Sequence, residues 1–263
     1  MDLQGKNILV TGGAGDGMGS GICEAIDHSG GRIIVNDLDL EIAREVAEKY
    51  NNAVAYKADI SNADEVRQMF DKINKDVGIL HGVVNNAGIG LAKYAHEAEE
   101  EEVNRLFDVD VKGIWMVSKE FVKQLLKAKQ SGNIVNISSV HAFATMHRMA
   151  IYSSAKSAVN GLTRGLAIDF GKHNIRCNAV APGMIYSEQS VSIISRWAHD
   201  PIKWMKDHKT DHQCLNSFTT ARDCGNVVVF LLSDLSRSIT GQTIYVDGGA
   251  TNLLYNNEYT SQK

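Results

Sequence analysis

Proline and cysteine are scarce in this chain. Its 263 residues include two prolines, Pro182 and Pro201, so no proline-rich linker divides it. The four cysteines, Cys23, Cys177, Cys214 and Cys224, share no C-x-x-C spacing. That excludes a zinc ribbon and a disulfide frame, and points to reduced thiols in a cytoplasmic protein. No apolar stretch approaches the ~20 residues of a membrane span. The start, Met1-Asp2-Leu3-Gln4, lacks a basic and an apolar region, so no signal peptide is expected. An excess of positive charge is also missing. With 27 Lys and Arg against 31 Asp and Glu, the formal net charge is −4, which offers no general attraction to nucleic acid or an anionic membrane. There is no internal repeat and no low-complexity tract.

What is present is an alternation of short apolar runs with amphipathic segments. Strands are expected at Asn7–Val10, Arg32–Asn36, Ala53–Lys57, Gly82–Asn85, Asn133–Ser138, Ile175–Val180 and Gln242–Val246. Helices are expected at Met18–His28, from about Asp39, at Asp64–Asp76, Tyr152–Phe170 and Ala221–Leu232. One long helix is expected from about Glu99 to Lys129, acidic in its first turn and lysine-rich in its last. Such alternation predicts a doubly wound α/β Rossmann fold, a seven-stranded parallel sheet with helices on both faces, as one domain over 1–263. Ligands bind such sheets at the carboxyl ends of the strands. The stretch at about 187–220 breaks the rhythm, and Trp197, Trp204 and Met205 suggest a short helical flap there. The tail after Gly249 is polar.

The first strand runs into Thr11-Gly12-Gly13-Ala14-Gly15-Asp16-Gly17-Met18-Gly19. Glycines at this point let the chain turn sharply and let a pyrophosphate approach main-chain N–H groups at a helix N-terminus. The strict G-x-G-x-x-G pattern is absent, so a simple flexible turn stands beside the dinucleotide reading. Asp37 ends the second strand about 20 residues further on, where a carboxylate binds the adenosine ribose hydroxyls. The charges of Asp37 and Asp16 would repel a 2′-phosphate, which predicts NAD over NADP. The competing reading is that Asp37 only caps the next helix.

Tyr152-Ser153-Ser154-Ala155-Lys156 places a phenol and an ammonium one turn apart on one helix face. The ammonium favours the phenolate, which makes a proton carrier usable near neutral pH. A chance surface pair has the same spacing. Ser139 closes the fifth strand thirteen residues earlier.

With these residues in place the chain resembles the short-chain dehydrogenase/reductase family along nearly its whole length. The motifs that carry the resemblance are the Thr11-Gly12 loop, Asp59-Ile60, Asn85-Asn86-Ala87-Gly88, Ser139, Tyr152-x-x-x-Lys156, Pro182-Gly183 and Asp247-Gly248-Gly249. The resemblance implies that Tyr152 exchanges a proton with the substrate oxygen and Ser139 orients that oxygen. Lys156 would assist Tyr152 and bind the nicotinamide ribose. Gly12, Gly17, Met18 and Gly19 would cradle the phosphates, Asp59 and Ile60 would meet the adenine, and Asn86, Ala87 and Gly88 would line the cleft. Pro182, Gly183 and Ile185 would shape its nicotinamide end. It also implies a homo-oligomer, a tetramer or dimer built on the helices around 99–129 and 152–170.

Two departures stand out. Four residues separate Gly12 from Gly17 where the family has three. Asp110 occupies the place of the family's water-holding asparagine, where it would serve the same relay or stand as a passive helix residue.

The substrate side is open. His141, His147 and Arg148 follow Ser139, and Lys203, Lys206, His208, Lys209 and His212 lie in the flap. As lining they would suit a sugar, polyol or hydroxy acid; as a solvated face they would do nothing. Trp197, Trp204 and Phe143 would equally close over an apolar substrate. His141 and His147 match no metal-ligand spacing, so no metal is expected. The expected activity is NAD-dependent interconversion of a secondary alcohol and a ketone. A 3-oxoacyl-thioester reductase and a non-catalytic NAD-binding regulator are the alternatives.

Overall fold

The computed structural model describes residues 1–15 and 17–254. Asp16 and the end of the polar tail lie outside the described residues. The sheet strands are β1 (Asn7–Thr11), β2 (Arg32–Asp37), β3 (Val54–Lys57), β4 (Gly82–Asn85), β5 (Gly132–Ile137), β6 (Ile175–Pro182) and β9 (Thr243–Val246). All neighbours pair in parallel, in the order β3-β2-β1-β4-β5-β6-β9. The chain reverses its direction of travel across the sheet between β1 and β4, the switch point at which such sheets bind ligands.

Successive strand residues feed two separate cores. Ile8 and Val10, Ile33 and Val35, Val84, and Val135 and Ile137 pack into one. Leu9, Ile34, Val83 and Ile134 point the other way into the second. Alternation sends every other side chain to the opposite face, and both faces are covered, which is why these strands are apolar throughout rather than alternating. Helices α1 (Met18–His28), α2 (Leu40–Ala47) and α9 (Ala221–Leu232) cover the first face. Helices α3 (Ala63–Asp76), α5 (Ile114–Ala128) and α6 (Ala150–Phe170) cover the second. Two glycines let α1 and α9 touch backbone to backbone. A Cβ on Gly21 would sit 2.5 Å from the Ala221 Cβ, and one on Gly225 2.9 Å from the Ala25 Cβ.

The expected long helix at 99–129 is interrupted. α4 (Glu100–Phe107) passes into a π-helical turn over Asp108–Gly113 before α5 begins, and Lys129 leaves the rod in a left-handed conformation. A wider turn accommodates one extra residue, a feature frequent at functional sites. No periodicity distinguishes it from a continuous helix. The turn is tightly packed, since a Cβ on Gly113 would lie 2.8 Å from Ile60. The flap at 187–220 is more ordered than its composition suggests. It holds α7 (Glu188–Ile194), α8 (Pro201–His212) and β8 (Thr219–Thr220), and β7 (Ile185–Tyr186) precedes it. β7 and β8 pair in parallel, and Tyr186 stacks on Phe218 at 4.8 Å.

Candidate active site

A cavity of about 1080 Å³ runs along the carboxyl ends of the strands, large against the ~300–1000 Å³ of ordinary ligand sites. Its glycine end is built by close approach. Gly12 has φ +59, and a Cβ there would lie 2.8 Å from Ala87 Cα. The loop is therefore seated directly on the residues after β4. Thr11 and Asn86 stitch the two segments together. The Thr11 hydroxyl accepts the Asn86 and Ala87 N–H groups, each at 3.1 Å, and the Asn86 amide donates to the Thr11 and Gly12 carbonyls at 3.0 and 2.8 Å. Gly12, Gly15, Gly17, Met18 and Gly19 face the cavity, whereas Gly13 is turned away, its N–H bonded to Asn36. Gln189 of α7 packs directly against Gly17, so the flap reaches the loop.

Asp37 lines the same cavity at the end of β2. It does not cap α2: Asp39 does, accepting from the Glu41 and Ile42 N–H groups. One Asp37 oxygen receives the Leu38 N–H at 2.8 Å, and the other lies 3.4 Å from the Ala14 N–H. Asp59 and Ile60 also line the cavity. The Asp59 carboxylate is held by the Ser61 N–H and hydroxyl and by Arg105. Burial would raise its pKa, but these donors outweigh burial and hold it below the usual carboxylate value.

At the far end Ser139, Tyr152 and Lys156 line the cavity together. α6 starts at Ala150, two residues earlier than expected, which puts Tyr152 in its first turn at the positive end of the helix dipole. The turn carrying Ser139 is pinned to α6. Ser153 Oγ donates to the His141 carbonyl at 2.7 Å and Ser157 Oγ to that of Ala142 at 3.2 Å. Ser139 Oγ accepts the His141 N–H at 3.2 Å. Lys156 Nζ lies 5.7 Å from the Tyr152 ring centroid and donates to the Ile137 carbonyl at 3.2 Å.

Asp110 does not reach the cavity. It is wholly buried behind Lys156 and pairs with it directly, Oδ2 to Nζ at 2.9 Å, while its Oδ1 accepts the Ile89 N–H at 2.8 Å. The π-helical turn presents it there. Burial alone would lower the Lys156 pKa; the charges of Tyr152 and Asp110 outweigh burial and raise it. Gly88 leaves room for the pair, since a Cβ on it would stand 3.1 Å from Asp110 and 3.3 Å from Lys156. Asp110 thus meets the cavity through Lys156 alone.

Pro182, Gly183 and Ile185 line the cavity. A Cβ on Gly183 would come within 2.8 Å of Asp247. Asp247 in turn organises the following loop, accepting the Gly249 and Thr251 N–H groups. That explains two of the motifs as one packing contact.

Of the expected substrate residues, His141 lines the cavity, its ring edge-on to Tyr152 at 5.7 Å. Burial lowers its pKa. His147 and Arg148 do not line it. The loop turns outward at Arg148, which adopts φ +68 and lies over the Tyr94 ring. In the flap, His208 and His212 face the cavity and the lysines do not. Asp211 and Leu253, which also face it, carry no motif by which sequence could have found them. Among the described residues no cluster of three His, Cys, Asp or Glu side chains is placed to hold a metal ion.

The cavity's length, the glycine seat and the Asp37 carboxylate fit an extended dinucleotide. Known proteins agree with that reading. A family model described as Enoyl-(Acyl carrier protein) reductase matches residues 13–251. The chain is 31% identical over 253 residues to a 2-(S)-hydroxypropyl-CoM dehydrogenase of Xanthobacter autotrophicus, covering 95% of this chain and 98% of that one. It is 30% identical over 251 residues to the 5-keto-D-gluconate 5-reductase of Escherichia coli K12, covering 94% and 96%. A gluconate 5-dehydrogenase from Burkholderia cenocepacia, solved in complex with NADP and tartrate, superposes with a TM-score of 0.87 at 26% identity, covering 96% and 98%. The chain belongs to the short-chain dehydrogenase/reductase family and is an oxidoreductase acting on CH–OH groups.

Proposed function

We propose that this protein is an NAD-dependent oxidoreductase that interconverts a secondary alcohol and a ketone on a small polar substrate. The observation that carries the reading is the convergence of Ser139, Tyr152 and Lys156 on one end of a cavity whose other end presents Asp37. The bound nicotinamide supplies the hydride acceptor. Ser139 hydrogen-bonds the substrate oxygen and fixes the carbinol for attack. Tyr152 takes the hydroxyl proton as the C–H bond yields its electron pair, and returns it in the reverse direction. Lys156, held by Asp110 and the Ile137 carbonyl, keeps a positive charge beside the phenol. His141, edge-on to Tyr152, borders the substrate. Replacement of Tyr152 by Phe tests the assignment, because it removes the proton carrier and leaves the fold. Turnover should drop by at least ~10²-fold, the usual worth of a positioned acid or base. Undiminished turnover would refute it.

Asp37 supports NAD, since a 2′-phosphate would lie against its charge. The NADP complex of the Burkholderia protein stands against this, and parallel assays with the two cofactors decide. The three flap lysines lie off the cavity, which removes support for a hydroxy acid and leaves hydroxylated substrates. The family model's description, Enoyl-(Acyl carrier protein) reductase, names an acyl carrier and so favours a thioester substrate as the second reading. A 3-oxoacyl thioester offered with NADPH separates the two.

We further propose a single-domain, cytoplasmic homo-oligomer. In support, all four cysteines are free, and no helix among the described residues is long and apolar enough to cross a membrane. Trp115 on α5 and Ile168 on α6 expose apolar surface on the helices expected to assemble.

A further inference from the structure

Three polar groups line the catalytic end of the cavity from the turn after β5 and the start of α6. They are the Ser139 hydroxyl, the His141 imidazole and the Tyr152 phenol. Oxidation of an alcohol occupies the first and the third and leaves His141 without a task.

His141 is tied to the other two. Its N–H donates to Ser139 Oγ at 3.2 Å, and its carbonyl accepts from Ser153 Oγ at 2.7 Å. Its Cα therefore lies within about 4.7 Å of Ser139 Oγ, from the hydrogen bond and the N–Cα bond taken end to end. Because Ser139 Oγ accepts that N–H, its own proton remains for a substrate oxygen. The ring is held as well. Nδ1 shares a hydrogen bond with Thr145 Oγ1 at 3.0 Å, and the imidazole stands at 75° to the Tyr152 ring with centroids 5.7 Å apart.

With Nδ1 committed to Thr145, Nε2 is left over. It has no hydrogen-bond partner among the described residues and is not sealed in by them. Burial lowers the pKa of the ring, so near neutral pH the imidazole is uncharged. It offers one donor or one acceptor at Nε2, according to which of Nδ1 and the Thr145 hydroxyl gives its proton. The same turn also lines the cavity with Val140, Ala144 and Met146, all apolar. A polar atom open in such a wall weakens binding unless a ligand atom meets it.

The charges say what kind of atom. Among the described residues the cations that line the cavity are Arg105 and Lys156, and they are paired with Asp59 and Asp110. A carboxylate finds no free cation here, whereas an uncharged oxygen suits an uncharged imidazole. With the His141 and Tyr152 rings this close, the two oxygens they meet belong to nearby positions of one small molecule.

We infer that His141 Nε2 hydrogen-bonds a second, uncharged oxygen of the substrate, a hydroxyl or carbonyl within two carbons of the reacting carbinol. The substrate class is then a diol or hydroxyketone, which His141 selects over a simple secondary alcohol. This rests on the alcohol–ketone reading above and specifies its substrate.

The test follows the nicotinamide absorbance with NAD and NADP for butane-2,3-diol and butane-1,3-diol. Each is set beside the alcohol in which a methyl replaces the second hydroxyl, 3-methylbutan-2-ol and pentan-2-ol. At least one diol should exceed its methyl partner in kcat/KM by roughly fivefold to tenfold, the net worth of one hydrogen bond. His141→Leu should pull that ratio towards one, and His141→Gln, which keeps a hydrogen-bonding group, should restore part of it. Thr145 is exposed, so Thr145→Val releases the ring from its anchor and lowers the ratio even if the His141 variants misfold. Diols no better than their partners, or a ratio unchanged in the folded variants, would overturn the inference and leave the alcohol–ketone reading in place. If no alcohol is oxidised with either cofactor, that reading fails. The subsite is then judged by the His141 imidazole proton resonance, assigned by its absence from His141→Gln. A shift that saturates with a diol and is missing with its methyl partner upholds the subsite; no such shift sinks it.

Discussion

Replacing Asp110 by Asn removes one charge and almost nothing else. The asparagine Oδ1 still accepts the Ile89 N–H, and the volume is unchanged. Lys156 loses the partner held at 2.9 Å in a buried site, and breaking a pair of this kind from one side costs about 3 kcal/mol. The sign of the pH dependence follows from Lys156, whose pKa is raised in the fold. The pair's contribution is fully present below the ordinary lysine value of about 10.5 and disappears as pH rises through the higher folded value. Wild type and variant should therefore differ in stability at neutral pH and converge in strong alkali, read by chemical denaturation at several pH values.

The kinetic consequence is separate. Asp110 lies within about 9 Å of the phenol ring, from the ion-pair distance and the lysine-to-ring distance taken end to end. Removing a negative charge at that range is worth about 1–2 kcal/mol for an effective dielectric of ~40 to ~20. That corresponds to about 0.7–1.4 pH units. With Lys156 no longer offset by a carboxylate, the rising limb of the kcat/KM profile against pH for alcohol oxidation should move to lower pH by this amount. A limb that stays where it was, in a variant that is folded, refutes the view that Asp110 tempers Lys156. A simple structural role would change stability and leave the limb in place.

Other expectations follow from single contacts. Asp37→Ser should lower kcat/KM with NAD and raise it with NADP, shifting the ratio by at least ~10-fold; a constant ratio would remove Asp37 from cofactor choice. Gly21→Ala drives a Cβ to 2.5 Å from Ala221 across the α1–α9 crossing, and overpacking of this kind costs about 1–3 kcal/mol, visible as a lower Tm. Arg105→Ala strips a cation from Asp59. The hydrogen bonds from Ser61 remain, so the stability loss should stay below about 1 kcal/mol because the pair is partly exposed. A larger loss by denaturation would show that Arg105 supports the cavity wall.

The sheet and its cofactor end are legible from sequence because each rests on short-range patterning. Apolar runs such as Asn7–Val10 announce buried strands, and a glycine loop followed by an acidic residue one strand later announces its own geometry. The boundaries that failed are those set by contacts distant in sequence. The π-helical turn at Asp108–Gly113 packs Gly113 on Ile60, about fifty residues earlier, and brings Asp110 to a lysine on α6. Arg148 was expected at the substrate, but its left-handed backbone turns it out against Tyr94. The flap lysines announce a basic lining only if helix phase is ignored. α8 turns Trp204, His208 and Asp211 inward and leaves Lys203 and Lys206 outside.

The rotation of α8 decides which of the flap's side chains meet the cavity. A helix presents residues spaced three to four apart on one face, and the face here is fixed at Met205 and at the Gly248 contacts. Turning α8 by one residue about its axis would put Lys203 or Met205 in place of Trp204 and Thr210 or His212 in place of Asp211, and so change the chemistry of the cavity wall. The catalytic end is insensitive to such a change, because Ser139, Tyr152 and Lys156 are tied to β5 and α6 through Ser153, Ser157 and the Ile137 carbonyl. Ser139, Tyr152 and Lys156 on one side and the α8 wall on the other therefore sit on separately anchored pieces of the chain. A variant that alters α8 should change which alcohol is oxidised while the pH dependence set by Asp110 and Lys156 stays the same.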